Sequence, residues 1–362
     1  MTNASGGHSG GHSGGHSGGH SGGHSGGHSG GHSGGHSAQM HAGSGPSPLL
    51  SDALAANHDG LVGYWDPANL RTLGPIQNND LDYLSPNRRA QLVTGAAMSI
   101  FKVRKGASDD DTDAELVAGP STIFSLARPS DAFLGQQVVW VRNYADLRAD
   151  RIPEISIQLD DIMSFFGGIA LLNDRARART AELLSIVQNV CIFVEMQVKH
   201  LCRAWRPVDF APELYPVIQT PDHSTFPSGH STESFAVATM LNHLMNGSVA
   251  DGVRDDTLPF RQAHRIAVNR TVAGVHFPVD SAAGALLGIA IGEALFAAAR
   301  APGESTEAVT LGFAPDSSFA ADQDFTLEWL QGQISAAPLP AASVPRVDFL
   351  ARHFKAAQAE WV

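Results

Sequence analysis

The chain has 362 residues, 43% of them hydrophobic, enough for one large core or two small ones. Its formal net charge of -12 excludes wholesale attraction to nucleic acid or anionic lipid, so any bound anion must be held by a local cluster of cations. The only two cysteines, Cys191 and Cys202, exclude a disulfide framework and read as buried free thiols.

Residues 5–37 repeat Ser-Gly-Gly-His, with histidine at every fourth position from His8 to His36 and no apolar side chain for a core. A disordered tail is therefore expected over residues 1–46. It reads as a spacer or purification tail, the other reading being a tract whose neutral imidazoles capture divalent transition metals. One helical catalytic domain is expected over 47–362, its motif-bearing bundle at about 154–300. Residues 60–86, rich in Gly, Pro, Asn and Asp, predict short turns. A first long helix is predicted over 87–105, started by Ser85 and Pro86 and stopped by Gly106, with an acidic loop at 106–112. Apolar residues at three- and four-residue spacing predict helices near 154–172, 176–204, 229–246, 257–273 and 278–300. Two amphipathic helices are predicted over 325–335 and 347–359. Apart from a short strand at 138–141, alternating patterns are almost lacking, so the expected fold class is all-α, a helical bundle. The apolar stretch 279–299 is long enough to span a bilayer, but Asp280, Glu293 and the lack of a companion segment favour a buried bundle helix. No apolar leader opens the chain, so the expectation is a soluble, cytoplasmic protein without a membrane span.

Three segments carry chemistry. In the first, Lys199 and Arg206 lie two helical turns apart and share a face, with Pro207 ending the helix. In the second, Pro227, Ser228, Gly229 and His230 form a tight turn into an apolar helix, whose first amides and positive dipole end suit an anion. In the third, Arg270 is followed by Gly274, His276, Pro278 and Asp280. Once Pro278 starts a helix, the last interval brings Asp280 behind the His276 ring, where a carboxylate fixes the tautomer and strengthens the imidazole. Each piece has a plain structural alternative. A Lys–Arg pair at that spacing is usually a solvated helix face, Pro-Ser-Gly alone is a helix start, and a histidine beside an apolar run is usually a hydrogen-bonded core residue. Trp205 and Phe226 flank the motifs and read as core packing rather than pocket walls.

In order, spacing and residue type, the three segments together resemble the signature KxxxxxxRP, PSGH, SRxxxxxH. That signature is shared by vanadium-dependent haloperoxidases, type-2 phosphatidic acid phosphatases and bacterial acid phosphatases. Lys199, Arg206 and Pro207 match its first motif, Pro227 to His230 its second, and Arg270 with His276 its third, while Asn269 stands where the signature has serine. The resemblance implies a helical bundle of the vanadium haloperoxidase and acid phosphatase type. It implies that Lys199, Arg206 and Arg270 hold the equatorial oxygens of a tetrahedral oxyanion, with Ser228 and the Gly229 amide completing the cradle. It further implies that His276 is the nucleophile toward phosphorus or the axial ligand of vanadium, that His230 is the general acid and base, and that Asp280 orients His276. Three cations converging in one buried pocket would be strongly destabilising without an oxyanion between them.

Two chemistries fit this frame. Lipid phosphatases of the superfamily usually carry several membrane spans, and its secreted acid phosphatases an export signal; the sequence displays neither. About 150 residues precede the bundle, room for the extra helices of the larger haloperoxidases. The favoured expectation is therefore a vanadium-dependent haloperoxidase, with vanadate on His276 as cofactor, Lys199 polarising a peroxo group, and hydrogen peroxide and halide as substrates. His223, where bromoperoxidases of the superfamily carry a second histidine, implies bromide or iodide; a solvated loop histidine is its other reading. The alternative is an acid phosphatase that hydrolyses phosphate monoesters through a phosphohistidine, phosphate or sulfate fitting the same site. A non-catalytic oxyanion binder is a third reading, and self-association is left open.

Overall fold

The computed structural model describes residues 48–62, 70, 72–74, 81–106, 112–173, 175–245, 247–335 and 340–361. The His-rich repeat, most of the irregular stretch at 60–86 and most of the acidic loop lie outside these residues. The chain divides into two compact units, Met1–Asn87 and Arg88–Val362. In the first, helix α1 (Pro48–Leu61) has no buried residue. The second carries all three motifs.

Helix α2 (Pro86–Met98) ends well before residue 105, and the chain continues as strand β1 (Phe101–Lys105). β1 pairs antiparallel with β2 (Ala114–Ala118), which pairs antiparallel with β3 (Ser121–Leu126). Farther on, β4 (Glu307–Val309) pairs with β6 (Ala341–Ser343), while β5 (Leu311–Phe313) joins β3 in parallel. The single helix over 87–105 and the all-α class are thereby corrected to a mostly helical protein with small sheets. In β1 the half-buried Phe101 and Val103 alternate with exposed Lys102 and Arg104, a pattern completed by partners distant in sequence. The strand expected at 138–141 lies instead inside α3 (Asp131–Tyr144), where the Ser130 hydroxyl accepts the Phe133 amide at 3.1 Å and caps the helix. The helix expected over 154–172 is two, α4 (Arg148–Ile157) and α5 (Met163–Ala170). Asp161 between them accepts the Ser164 amide at 2.9 Å and starts the second.

The bundle follows in α6 (Ala178–Cys202), the single turn α7 (Pro207–Phe210), α8 (Gly229–Met245), α9 (Val249–Arg254), α10 (Leu258–Ala273) and α11 (Pro278–Ala298). α12 (Leu327–Ile334) and α13 (Asp348–Gln358) pack outside it. α8 is buried nearly all round because α6, α10 and α11 surround it. Each fully buried leucine or isoleucine of α11, such as Leu287, Ile289 and Ile291, contributes about 1.5–3 kcal/mol. Cys191 and Cys202 are buried and free, as expected.

α8 and α11 meet at their backbones. Gly284, Gly288 and Gly292 lie at four-residue spacing on α11, and a methyl group at Gly288 would come within 2.3 Å of the Thr232 carbonyl oxygen. At Gly284 it would come within 2.6 Å of the Ser228 carbonyl oxygen, so this contact also seats the turn of the second motif. Gly288→Ala is expected to destabilise the protein by about 1–3 kcal/mol, read as a lower midpoint in urea at unchanged slope.

The cytoplasmic, span-free expectation rested on the lack of an apolar leader and on a single long apolar stretch, and it is overturned. Two helices, the one from Ala178 and Pro278–Ala298, are long and apolar enough to cross a membrane. The apolar window of the second is 94% buried within the protein, that of the first 50%, so only α6 turns much apolar surface outward. Ile192, Phe193 and Met196 are exposed there.

Candidate active site

Each motif is delivered by the end of a helix. α6 stops at Arg203 in the left-handed conformation (φ 49°). Lys199, one turn before, is buried and donates to the carbonyls of Ser224 (3.0 Å), Thr225 (3.3 Å) and Pro227 (2.6 Å). An ammonium has three protons, so Lys199 braces the loop into the second motif and acts on its surroundings by charge. Arg206 precedes Pro207, the first residue of α7. Its guanidinium donates to the carbonyls of His223 and Val275, and its Nη1 lies 3.3 Å from His276 Nε2.

The second motif opens α8. The Ser228 amide donates to the Asp280 carbonyl and its carbonyl accepts the Thr232 amide, which leaves the first amides of α8 facing outward along the helix axis. Ser228 is fully buried, and its hydroxyl has no protein partner. His230 lies on the first turn, half-buried, with Nε2 2.8 Å from the Gln158 carbonyl. Because a carbonyl only accepts, Nε2 carries the proton and Nδ1 the lone pair. Burial, and then the charges of Arg270, Lys199 and Arg206, push the His230 pKa down to about 3.

The third motif turns at Gly274 (φ 88°), where the Val275 amide reaches back to the Arg270 carbonyl and closes α10 in a Schellman arrangement. Only glycine is at ease there, and the turn launches His276 toward α8 and Asp280. His276 Nδ1 is 3.1 Å from Asp280 Oδ2, which also accepts the Phe277 amide at 2.9 Å and the Thr225 hydroxyl at 2.5 Å. Arg206, a donor only, can approach Nε2 only if that nitrogen holds the lone pair. The proton of His276 is therefore on Nδ1, held by Asp280. Burial, then Arg206 and Lys199, hold the His276 pKa well below the usual imidazole value, so the contact is a hydrogen bond from a neutral ring and not an ion pair. Burial raises the Asp280 pKa to about 6, against the opposing pull of the Thr225 and Phe277 hydrogen bonds.

Arg270 is buried on the other side. Its Nη2 donates to Gln158 Oε1 at 2.9 Å, whereas Nε and Nη1 have no protein partner. None of Lys199, Arg206 and Arg270 forms a salt bridge among the described residues. A cluster of three buried cations, none in a salt bridge among the described residues, with unclaimed donors on Arg270 and Ser228, fits a tetrahedral dianion. A cavity of about 670 Å³ borders the cluster at Lys199 and Arg206 and is lined also by Trp205, Asp209, Asp222 and His223; Ser228, His230, Arg270 and His276 do not line it. Trp205, expected in the core, is instead exposed at its rim; Phe226 is fully buried. His223 Nδ1 faces Arg206 Nη2 at 3.1 Å. Thr225 and Gln158 carry no sequence signal, since one acts through a hydroxyl in a loop and the other through a helix-end carbonyl.

Burial lowers the Lys199 pKa to about 8, with Glu195 pulling it back up. Only the charged ammonium attracts an anion, so affinity is expected to fall as pH rises through about 8. Sulfate, whose own charge is constant in that range, makes the cleaner calorimetric probe.

Residues 180–302 match the model of the PAP2 superfamily. Decaprenylphosphoryl-5-phosphoribose phosphatase of Mycobacterium tuberculosis, in each of two strains, is 30% identical to this chain over 131 residues, 36% of this chain and 66% of that protein. The chain thus spans just under two thirds of the length of the curated relatives it matches. Among solved structures, a transmembrane PAP2 type phosphatidylglycerolphosphate phosphatase from Bacillus subtilis aligns with 16% identity and a TM-score of 0.24, over 57% of this chain and 81% of that one. The haloperoxidase expectation, with its oxidoreductase class and its peroxide and halide substrates, is overturned by the phosphatase relatives. The lack of membrane spans that favoured it also fails, since two helices could span a membrane, and the residues ahead of the bundle carry a small sheet beside the helices α2 and α3. The matched residues 180–302 hold all three motifs, and in them the chain is similar to the PAP2 superfamily.

Proposed function

We propose that the protein is a phosphatase that hydrolyses phosphate monoesters through a phosphohistidine on His276. The observation that carries this reading is the tautomer of His276: Nδ1–H on Asp280, and an Nε2 lone pair beside Arg206 in a pocket of buried cations. In the first step, that lone pair forms a bond to phosphorus as the bond to the ester oxygen breaks, and His230 gives a proton to the departing alkoxide. In the second step, His230 takes a proton from water, whose oxygen attacks phosphorus; the P–N bond breaks and inorganic phosphate leaves. His230 needs a proton for the first step. Its pKa of about 3 reflects burial first and then the neighbouring cations, and a bound dianion offsets the cations and raises it. Arg270 and Ser228 supply donors to the phosphoryl oxygens, and Arg206 and Lys199 supply charge. Vanadate and sulfate, sharing the shape of phosphate, take the same place as inhibitors.

The alcohol side of the substrate is apolar in this reading. A second groove, of about 630 Å³, runs along α6 past Ile192 and Phe193 and shares Met196 and His200 with the mouth of the cationic cavity. Met196→Glu is expected to raise KM for a long-chain alkyl phosphate by about 10-fold or more, leaving p-nitrophenyl phosphate unchanged.

The test is a rapid quench with a labelled phosphate monoester. Labelled phosphate should be trapped on His276, and it should accumulate in His230→Ala, where water is not activated. Label on another residue, or no hydrolysis of any phosphate monoester, would sink the reading.

A further inference from the structure

Gln158 follows the last residue of α4, where a helix leaves carbonyls without amide partners. Its carbonyl accepts His230 Nε2 at 2.8 Å, and its side-chain Oε1 accepts Arg270 Nη2 at 2.9 Å and Asn269 Nδ2 at 3.0 Å. One residue, 1% exposed and outside all three motifs, therefore touches the histidine of the second and the arginine of the third. We propose that Gln158 is a positioning residue: its carbonyl turns the lone pair of His230 Nδ1 toward the anion site, and its side-chain oxygen holds Arg270 by one end so that Nε and Nη1 remain for the anion.

The departure at Asn269 belongs to the same device. Its amide nitrogen donates both to Gln158 and to Glu154 Oε2 (3.1 Å), and its oxygen accepts Arg151 Nη1 at 3.2 Å. A serine hydroxyl has one proton and a shorter reach, so it could not serve Gln158 and Glu154 together. Glu154 in turn is clasped by both ends of the Arg265 guanidinium. Asn269 thus ties the end of α4 to α10 and sets the depth at which Gln158 meets Arg270.

Two variants test this. Gln158→Glu keeps the accepting oxygen and loses only Nε2–H, which has no protein partner, so the fold should hold. The added charge against Arg270 should weaken sulfate binding, read by calorimetry, about 10-fold or more. Gln158→Met keeps the size and removes the acceptor; kcat should fall about 10-fold, and the effect should not add to that of Asn269→Ala. In the wild type, nitrogen NMR should find neutral His230 protonated at Nε2. The opposite tautomer overturns the assignment, and so do wild-type sulfate affinity and kcat in both variants, or losses that follow the melting temperature alone. The kinetic arm rests on the phosphatase reading; sulfate affinity and tautomer are read without turnover. Failure of those two leaves ester hydrolysis standing, and absence of ester hydrolysis leaves those two standing.

Discussion

Replacing His276 with alanine is expected to lower kcat/KM for a phosphate monoester by about 10⁴-fold or more, with little change in sulfate affinity. In this reading His276 contributes the atom that bonds phosphorus, while the lone pair on His230 Nδ1 serves the proton transfers. Lys199 and Arg270 are cations, Ser228 lacks an adjacent base, and His230 is anchored to the Gln158 carbonyl on α4. Removing the ring also strands the Nδ1 acceptor: Asp280 Oδ2 keeps the Thr225 hydroxyl and the Phe277 amide, so the local turn should survive. Asp280→Asn should be milder, about 10–100-fold in kcat, because a side-chain oxygen can still accept Nδ1–H while the negative charge behind the ring is lost. Measured side by side, these variants separate the bond-forming role from the orienting one. If His276→Ala keeps more than a tenth of wild-type activity, the nucleophile lies elsewhere.

The second large effect belongs to Arg270. Arg270→Ala removes a buried guanidinium whose Nε and Nη1 have no protein partner, and kcat should fall about 10³-fold. Lysine should not rescue it, since a point charge replaces neither the fork nor the bond to Gln158 Oε1. A stability readout accompanies the kinetic one. Burial already lowers the Arg270 pKa to about 10, against an opposing pull from Glu233, so the wild type carries a desolvated charge that an anion relieves. Sulfate or phosphate should therefore raise the melting temperature of the wild type in a concentration-dependent way and have little effect on Arg270→Ala. Equal stabilisation of both proteins would place the anion away from Arg270.

The long helices were legible because their apolar residues recur with the helical period and their ends carry signals. Gly274 closes α10, Pro278 opens α11, and the expected bounds differ from the observed ones by a residue or two. The three motifs were legible because residue type and spacing fix them directly. What escaped depends on partners far away in sequence. Phe101 to Lys105 continues a helical pattern without a breaker and becomes a strand only because Ala114 to Ala118 lies beside it. The β-branched pair Val138 and Val139 looks like a strand until Ser130 caps a helix through it. The break between α4 and α5 was read as continuous helix, and that break is what frees the Gln158 carbonyl for His230. The choice between haloperoxidase and phosphatase went wrong for a different reason: it leaned on features outside the motifs, and phosphate and vanadate ask the same of the side chains inside them.

The glycine seam between α8 and α11 has a consequence for how such a site diversifies. Ser228 donates to the Asp280 carbonyl and has its own carbonyl pressed toward Gly284, so the anion cradle and the support of the nucleophile are two faces of one rigid joint. Thermal motion carries them together. The outer face of α6, with Phe193 and Met196, has no such restraint. Drift there can change which alcohol is released while the distance from nitrogen to phosphorus stays as the joint sets it.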